Sequence, residues 1–469
     1  MSERKGPAPR DARMRIPEHI FREYDIRGIV GEDLDPGVAE AVGGAYGSEL
    51  RARLPGSRPR VVVGEDNRPS SPAMRAGLAR GLRRAGCDVV QLGTVPTPVT
   101  YFSEYEYAAD GAVQITGSHN PPEYNGIKMT MGKGSVYGDT IRGLLRRIRT
   151  GDMAVGEGGL ETVDPLPAYV ADVAARFRPA RQVKAVVDCG NGAGSVVAVE
   201  LLRAAGLEVA PLYCESDGTF PNHHPDPTVD EYVQDLIAAV RSHGADVGIG
   251  FDGDADRIGV VDERGCIVRG DILLLLFGLD LLRRRGPGQT LVFDVKCSQI
   301  LSEEFERAGG VPVMWKTGHS LIKEKMKETR APLAGELSGH ICFADGYYGF
   351  DDALYAACRL GELLAASDRP LSEMAGELPV YASTPELRIE VAEEDKFGLV
   401  ERACRHFSAR YDVIAVDGVR VLFGDGWGLI RASNTQPVIV ARYEASTAER
   451  LGEIRATMEG WLRGEGVSV

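Results

Sequence analysis

The sequence predicts an α/β protein of three repeated α/β domains with mixed, mainly parallel sheets, followed by a smaller C-terminal α+β domain. Three times, short apolar runs rich in β-branched residues alternate with alanine- and leucine-rich segments of helical spacing. This alternation is typical of βαβ units and parallel sheets. The length of 469 residues also exceeds what one hydrophobic core supports. We therefore expect four domains around one central cleft, at residues 1–163, 164–266, 267–378 and 379–469.

Each of the three rounds contains three predicted strands, and the third strand of each round ends in a polar loop. The strands are predicted at residues 60–64, 87–92, 112–116, 184–188, 207–212, 246–250, 290–294, 311–315 and 332–335. Open α/β sheets bind ligands at the carboxyl ends of their strands, so we expect the three loops to face one cleft. After a polar linker, the pattern changes to that of the last domain. Its segments are the linker near 367–373, a helix at 393–411, strands at 413–416 and 419–423, a strand-loop-strand segment at 428–444 and a helix at 448–462.

The composition excludes several classes of function. The formal charge of −14 disfavours non-specific nucleic-acid binding, which requires a basic surface. The longest apolar run, residues 272–279, is far shorter than a membrane span of roughly 20 residues, and we predict a buried helix there. Residues 1–17 lack a hydrophobic signal segment, so we expect a disordered tail and a cytoplasmic protein. The eight cysteines form no Cys-x-x-Cys pair, which argues against a disulfide framework or a structural zinc site.

The first polar loop, Thr116-Gly-Ser-His-Asn-Pro121, directly follows a predicted strand. Gly117 permits a sharp turn or the close approach of a ligand, and the Asn-Pro pair cannot continue a helix. The hydroxyl of Ser118 is therefore expected at the tip of a strand, where open α/β sheets bind their ligands. A serine in this position is suited to carry a phosphoryl group, although the same residue types also form ordinary turns.

The second loop carries three aspartates at alternating positions, Asp252, Asp254 and Asp256. Three crowded carboxylates repel one another unless a cation neutralises them, and their oxygens suit a hard divalent cation such as Mg²⁺. An EF-hand calcium loop is the alternative, because Glu263 falls at its twelfth position. However, Arg257 stands where that loop requires glycine, and the flanking segments are predicted to be strands and not helices.

Two further loops carry groups that can recognise a phosphorylated sugar. In residues 335–340, Glu336 and Ser338 can bind neighbouring sugar hydroxyls, and His340 can move a proton near neutral pH. Residues 431–435 supply a guanidinium, hydroxyls and an amide for a phosphate, although each loop alone also fits a plain turn. A phenol and several cations elsewhere in the chain would add to a locally positive field: Tyr24, Arg27, Lys128, Lys296 and His319.

With all four loops considered, the chain resembles the α-D-phosphohexomutase superfamily from residue 16 onward, and it is most similar to the bacterial phosphomannomutase/phosphoglucomutase branch. The four loops occur in the family's order, and residues 21–28, 220–226 and 315–323 also match this branch. The resemblance implies a reversible phosphoryl shift between positions 1 and 6 of mannose or glucose phosphate. It further implies a phosphoserine enzyme and a 1,6-bisphosphohexose intermediate.

The resemblance also implies residue roles. Ser118 would carry the phosphoryl group and complete the site of one Mg²⁺ per chain, together with Asp252, Asp254 and Asp256. The implied catalytic residues are Ser118, His340, Arg27, Lys128 and Arg257, with His340 as acid and base. The implied substrate-binding residues are Tyr24, His119, Lys296, His319, Glu336, Ser338, Arg431, Ser433, Asn434 and Thr435. We expect 1,6-bisphosphohexose as activator, a phosphosugar substrate, and a monomer that binds neither nucleic acid nor membrane.

Two other functions remain open from the sequence. One is a metal-dependent phosphomonoesterase that uses Ser118 and passes its phosphoryl group to water. The other is a non-catalytic protein that binds a sugar phosphate or Ca²⁺. Release of inorganic phosphate without hexose 6-phosphate would favour the esterase, and phosphorylation of Ser118 coupled to turnover would exclude the binding protein.

Overall fold

The first domain contains a seven-stranded mixed sheet. A computed structural model describes residues 16–434 and 436–469, so most of the predicted N-terminal tail lies outside the described residues. The elements are β1 (Ile26–Ile29), α1 (Pro36–Arg53), β2 (Arg60–Glu65), α2 (Ser71–Arg84), β3 (Asp88–Thr94), α3 (Thr97–Glu106), β4 (Gly111–Ile115), β5 (Tyr124–Met131), β6 (Gly134–Ser135), α4 (Asp139–Thr150) and β7 (Leu160–Thr162). The strand order is β1-β5-β4-β2-β3-β7, with β6 paired to β5. Strands β4, β2, β3 and β7 are parallel, and β5 runs antiparallel to β4.

The second domain repeats the pattern with five strands. Its elements are α5 (Leu166–Ala174), β8 (Lys184–Asp188), α6 (Ala198–Ala204), β9 (Glu208–Leu212), α7 (Gln234–His243), β10 (Val247–Phe251), β11 (Ile258–Asp262) and β12 (Ile267–Val268). The strand order is β12-β11-β10-β8-β9. Strands β10, β8 and β9 are parallel, whereas β10 and β11 form an antiparallel pair around the aspartate loop.

The third domain has a sheet of four strands. Its elements are α8 (Gly270–Arg285), β13 (Thr290–Asp294), α9 (Gln299–Arg307), β14 (Val311–Trp315), α10 (His319–Thr329), β15 (Leu333–Gly335), β16 (Ile341–Phe343), α11 (Ala353–Ala365) and α12 (Leu371–Gly376). The strand order is β14-β13-β15-β16. Helix α8 contains the apolar run predicted to be buried, and Leu273 to Leu276 lie in the core. The polar linker predicted near 367–373 partly forms α12, because the side chain of Leu371 is fully buried and anchors that turn.

The fourth domain is an antiparallel sheet covered by two helices. Its elements are β17 (Ala382–Ser383), β18 (Leu387–Glu390), α13 (Lys396–Ser408), β19 (Asp412–Ile414), β20 (Val419–Leu422), β21 (Gly426–Ala432), β22 (Val438–Ala445) and α14 (Ala448–Gly464). The strand order is β17-β22-β21-β20-β19, with β18 also paired to β22. This arrangement confirms the predicted α+β class of the last domain.

The molecule has four separate sheets, but its largest buried hydrophobic cluster extends across three of them. One continuous buried cluster includes Val62 of the first sheet, Ile249 of the second and Phe293 of the third. The fourth domain has a separate core, which includes Phe407 and Tyr443. The first three domains are therefore packed together through shared apolar burial, whereas the fourth is an additional unit. Among the described residues, no helix has the length and apolarity needed to cross a bilayer.

Candidate active site

Ser118 lies in a sharply bent loop immediately after β4. Its backbone is left-handed, with φ of 49°, and its N–H donates to Thr116 Oγ1 at 2.8 Å. The fully buried Arg68 donates to the carbonyl of Ser118 at 2.7 Å and to that of Asn120 at 2.6 Å. A Cβ at Gly117 would lie 2.5 Å from Arg68 Cζ, so only glycine fits there. The loop is therefore fixed by a buried guanidinium.

The hydroxyl of Ser118 meets the aspartate loop of the second domain. Ser118 Oγ lies 3.0 Å from Asp252 Oδ2, and His119 Nδ1 lies 3.2 Å from the same hydroxyl. The sequence predicts a serine open to the cleft, but Ser118 is only 2% exposed. The reason is backbone packing: a Cβ at Gly253 would lie 2.3 Å from the carbonyl oxygen of Ser118. The aspartate loop therefore covers the serine.

The three aspartates form a buried acidic cluster between β10 and β11. Their side chains are completely buried, and each offers an oxygen within 4.8 Å of the others. Lys128 Nζ, from β5, lies 2.7 Å from Asp254 Oδ2 and 2.5 Å from Asp256 Oδ2. Thr97 Oγ1 donates to Asp254 Oδ2 at 2.5 Å. The flanking antiparallel strands rule out an EF-hand, whose loop lies between two helices.

The electrostatics of this cluster fit a divalent cation. Burial, followed by repulsion from Asp256 and Asp254, raises the pKa of Asp252 well above its ordinary value. Burial also opposes ionisation of Asp254, but the Lys128 ammonium lowers the pKa of that carboxyl. Within the described residues, Asp254 Oδ1 and Asp256 Oδ1 accept no hydrogen bond. Buried carboxylate oxygens with unused lone pairs are the ligands that hard cations prefer.

His340 approaches the cluster from the third domain. Arg257 Nε donates to His340 Nε2 at 3.0 Å, which leaves the imidazole proton on Nδ1. His340 Nδ1 lies 3.2 Å from Asp351 Oδ2 and 3.6 Å from Asp256 Oδ1. Loops of three domains thus meet at the acidic cluster, which contacts the hydroxyl of Ser118 through Asp252.

Asp351 is a functional candidate that sequence reasoning missed. Its carboxylate is completely buried and lies between the Nδ1 atoms of two histidines, 3.1 Å from His319 and 3.2 Å from His340. Lys323 Nζ donates to Asp351 Oδ1 at 2.7 Å. Burial, followed by the charge of Lys323, lowers the pKa of His319 to about 4, so this ring is neutral near pH 7. In the sequence, Asp351 is half of an Asp-Asp pair before α11, where only helix capping by Asp352 is predictable.

Arg27 lies beside the serine loop. Its guanidinium donates to Asn120 Oδ1 at 2.6 Å and to Asp25 Oδ2 at 2.5 Å. Glu336 is buried, accepts from the backbone N–H of Gly318 at 2.6 Å, and has a pKa raised by that burial. Ser338 lies half-buried two residues further along the same loop.

The fourth-domain loop closes the other end of the cleft. Arg431 Nε donates to Asp417 Oδ2 at 2.9 Å. Asn434 Nδ2 donates to the phenol of Tyr24 at 2.6 Å, and that phenol donates to the carbonyl of Thr317 at 2.8 Å. Lys296 Nζ donates to Glu386 Oε1 at 2.7 Å. Ser433 lies buried in the same loop, whereas Thr435 lies outside the described residues.

Comparison with known proteins decides the family. Four domain descriptions match consecutively: phosphoglucomutase/phosphomannomutase alpha/beta/alpha domain I at residues 18–153, domain II at 167–265, domain III at 269–381 and the C-terminal domain at 386–460. The chain belongs to the phosphoglucomutase/phosphomannomutase family. This result confirms the predicted resemblance and the predicted fold class.

Individual relatives agree with the family models over nearly the whole chain. The phosphomannomutase/phosphoglucomutase of Pseudomonas aeruginosa is 46% identical over 449 residues, covering 96% of each chain. The phosphoglucomutase of Neisseria gonorrhoeae is 42% identical and covers 94% of this chain and 96% of its own. A crystal structure of a phosphoglucomutase/phosphomannomutase family protein from Burkholderia thailandensis superposes with a TM-score of 0.90 at 43% identity, covering 96% of this chain and 98% of its own.

Membership of the phosphoglucomutase/phosphomannomutase family also decides between the functional classes. These relatives are named as mutases, which supports the predicted mutase enzyme over the phosphomonoesterase and the non-catalytic binding protein. Within this phosphohexomutase, a buried acidic cluster suited to a metal is present at the predicted position.

Proposed function

We propose that this phosphohexomutase moves a phosphoryl group reversibly between positions 1 and 6 of mannose or glucose phosphate, with Ser118 as the covalent carrier. The observation that carries the proposal is the 3.0 Å contact between Ser118 Oγ and Asp252 Oδ2, which joins the first and second domains at the acidic cluster. In the first half-reaction, phosphorylated Ser118 transfers its group to the free sugar hydroxyl. In the second, the other phosphate of the 1,6-bisphosphohexose returns to the same serine.

The residues around Ser118 supply the proton transfer and the positive charge that this reaction requires. Once Arg257 Nε turns from His340 Nε2 to the phosphoryl oxygens, that nitrogen would accept the proton of the attacking sugar hydroxyl and return it in the reverse direction. Arg257, Lys128 and Arg27 would offset the charge on the transferred oxygens, since phosphoryl transfer depends mainly on positioning and electrostatic stabilisation. Asp351 would act through His340, because a carboxylate beside Nδ1 fixes the tautomer and the orientation of the ring.

The acidic cluster would hold one Mg²⁺ per chain through Asp252, Asp254 and Asp256, together with the phosphate on Ser118. When bound, this ion supplies Lewis-acid stabilisation of the phosphoryl oxygens. The unused oxygens Asp254 Oδ1 and Asp256 Oδ1 support this assignment. Lys128 Nζ now lies against the same two carboxylates, so it would stay close to the transferred group.

The far end of the cleft would hold the phosphate that does not react. Its ligands would be Arg431, Ser433, Asn434 and Thr435, with help from Tyr24, Lys296 and His319. His119, whose Nδ1 lies 3.2 Å from the Ser118 hydroxyl, would bind substrate at the phosphoserine end instead. Glu336 and Ser338 would bind sugar hydroxyls between the two phosphates. Arg431 pairs with Asp417 and Lys296 pairs with Glu386, so a substrate phosphate would replace or join those carboxylates.

The test is conversion of mannose 1-phosphate and glucose 1-phosphate by the full chain with Mg²⁺ and a trace of the matching 1,6-bisphosphate as activator. We expect hexose 6-phosphate without net release of inorganic phosphate. Intact-mass analysis should show one phosphate on the wild type and none on Ser118→Ala. The matched control is Ser57→Ala, an exposed serine whose hydroxyl bonds only to the carbonyl of Leu54 among the described residues.

Loss of the nucleophile should lower kcat by about 10⁴-fold or more, with the melting temperature retained. Inorganic phosphate as the main product would instead indicate a phosphomonoesterase. Full turnover by Ser118→Ala would reject the phosphoserine carrier altogether.

A further inference from the structure

Two cysteine thiols face each other where neighbouring strands of the second sheet end. Cys189 directly follows β8, and Cys214 lies two residues beyond β9, which pairs with β8 in parallel. Their Sγ atoms are 3.2 Å apart. Cys189 is completely buried, whereas Cys214 is partly exposed and precedes three exposed residues.

The two loops that carry these thiols are tied together by their backbones. The N–H of Cys189 donates to the carbonyl of Leu212 at 3.2 Å, and the N–H of Asn191 donates to that of Tyr213 at 2.9 Å. Asn191 and Tyr213 both adopt left-handed conformations, with φ of 58° and 49°. A disulfide requires a sulfur–sulfur distance of about 2.05 Å, so closure needs a movement of only about 1 Å.

We propose that Cys189 and Cys214 form a modification site that closes reversibly into an intramolecular disulfide, with hydrogen peroxide as the oxidant. In the first step, the sulfur of Cys214 attacks one peroxide oxygen, the O–O bond breaks, and one water leaves. The product is the sulfenic acid of Cys214. In the second step, the sulfur of Cys189 displaces the hydroxyl of that sulfenic acid, the S–S bond forms, and a second water leaves. The two thiols lose two electrons and two protons in total, and the peroxide gains both.

The order of the two steps follows from exposure. Cys214 is the thiol that a solvent-borne peroxide can reach. The hydrogen bond with Cys214, and then full burial, raise the pKa of Cys189, which keeps that thiol protonated until its partner is oxidised. A buried resolving thiol next to a more exposed one is the arrangement in which a sulfenic acid condenses rapidly to a disulfide.

The position of the pair connects it to the acidic loop. The N–H of Gly192 donates to the carbonyl of Cys189, and the N–H of Ala193 donates to the carbonyl of Gly253, both at 2.8 Å. A Cβ at Gly192 would lie 2.7 Å from that Gly253 oxygen, so the two backbones are in tight contact. Movement of the Cys189 loop would therefore shift the loop that covers Ser118. On the proposed function, we expect disulfide formation to lower kcat at least threefold.

The experiment uses the full chain carrying Cys266→Ser, a substitution that removes an exposed thiol. This protein is treated with hydrogen peroxide. Free thiols are then alkylated and the protein is digested with trypsin without reductant. We expect tryptic peptides 185–203 and 204–241 to appear as one linked species, lighter by two hydrogens than their sum. Dithiothreitol should separate them. Recovery of both peptides only in alkylated or singly oxidised form would overturn the proposed site.

Activity provides the second measurement. Oxidised enzyme should regain kcat with dithiothreitol, and Cys214→Ser in the same background should be insensitive to peroxide. Unchanged kcat in fully linked enzyme would overturn the coupling to the acidic loop. If the proposed mutase activity itself is absent, the linked peptide still reports on the thiol pair, so the two failures are distinguishable.

Discussion

The two ends of the cleft are constructed in different ways. At the Ser118 end, side chains from three domains that share one hydrophobic core meet within hydrogen-bonding distance. At the other end, Arg431 and Asn434 belong to a domain with its own core. That domain contacts the others through polar pairs, such as Asn434 with Tyr24 and Glu386 with Lys296, and through a small apolar cluster in which Val295 meets Trp427.

This difference separates the region that catalyses phosphoryl transfer from the region that binds the non-reacting phosphate. Groups fixed on a shared core keep a catalytic geometry that tolerates little displacement. A domain with its own core and only a small apolar contact with its neighbours moves at lower cost, which suits repeated release and capture of a bisphosphate that must present either end. We therefore expect substitutions at the Ser118 end to lower kcat and substitutions in the fourth domain to raise KM.

The largest effect is expected at the acidic cluster. Asp252→Asn should lower kcat by about 10³-fold, because it removes a metal ligand and the partner of the Ser118 hydroxyl. Titration calorimetry should show weaker Mg²⁺ binding. Asp235→Asn, an exposed aspartate on α7, is the control and should match the wild type. Wild-type Mg²⁺ affinity in Asp252→Asn would place the metal elsewhere.

The next effect concerns Asp351. Asp351→Ala should lower kcat by about 10–100-fold with little change in KM, because the His340 ring loses the group that orients it. Asp351→Asn should recover part of that loss, since its amide oxygen can still lie beside Nδ1. The control is Asp352→Asn, which alters the cap of α11 and should lower the melting temperature while kcat is kept. Equal losses of kcat in Asp351→Ala and Asp352→Asn would indicate a purely structural role for Asp351.

At the opposite end, Arg431→Ala should raise KM by about 10–100-fold with kcat nearly unchanged, since a charged hydrogen bond contributes about 1.5–3 kcal/mol. Arg402→Ala, which breaks an exposed pair with Glu465 in the same domain, should leave KM at its wild-type value. A fall in kcat without a rise in KM would contradict the assignment of catalysis to the Ser118 end and of phosphate binding to the fourth domain.

The smallest effect is a pH dependence of the interface with the fourth domain. Burial opposes ionisation of Glu386, but Lys296 lowers its pKa from the ordinary value of 4.5 to about 2. The unfolded chain therefore takes up this proton first as the pH falls. The stabilisation is complete above about pH 4.5 and is lost as the pH falls towards about 2. The difference in melting temperature between wild type and Glu386→Gln should shrink over that range, and a constant difference would argue against the ion pair.

Much of the fold is predictable because local patterns specify it. The strands 184–188, 290–294 and 311–315 were expected from β-branched runs and match the structure residue for residue. The loops after β4, β10 and β15 are also identifiable, because together with the last loop they occur in the order of a known family, although each one alone also fits a plain turn. The assigned roles of their side chains stay predictions.

What the sequence does not reveal depends on packing between distant segments. The burial of Ser118 results from the close approach of Gly253, which lies in another domain. Asp351 becomes notable only when His319 and His340 are brought beside it. The same holds for Asp417, whose pairing with Arg431 has no local signal. Each case combines residues that no short motif contains.

The continuous core of the first three domains has a consequence for how the chain melts. Units that share one buried apolar cluster lose it together, so residues 16–378 should denature as a single calorimetric transition. The fourth domain, with its own interior, should give a second heat-absorption peak. A fragment ending before β17 should therefore retain the first peak and lose the second.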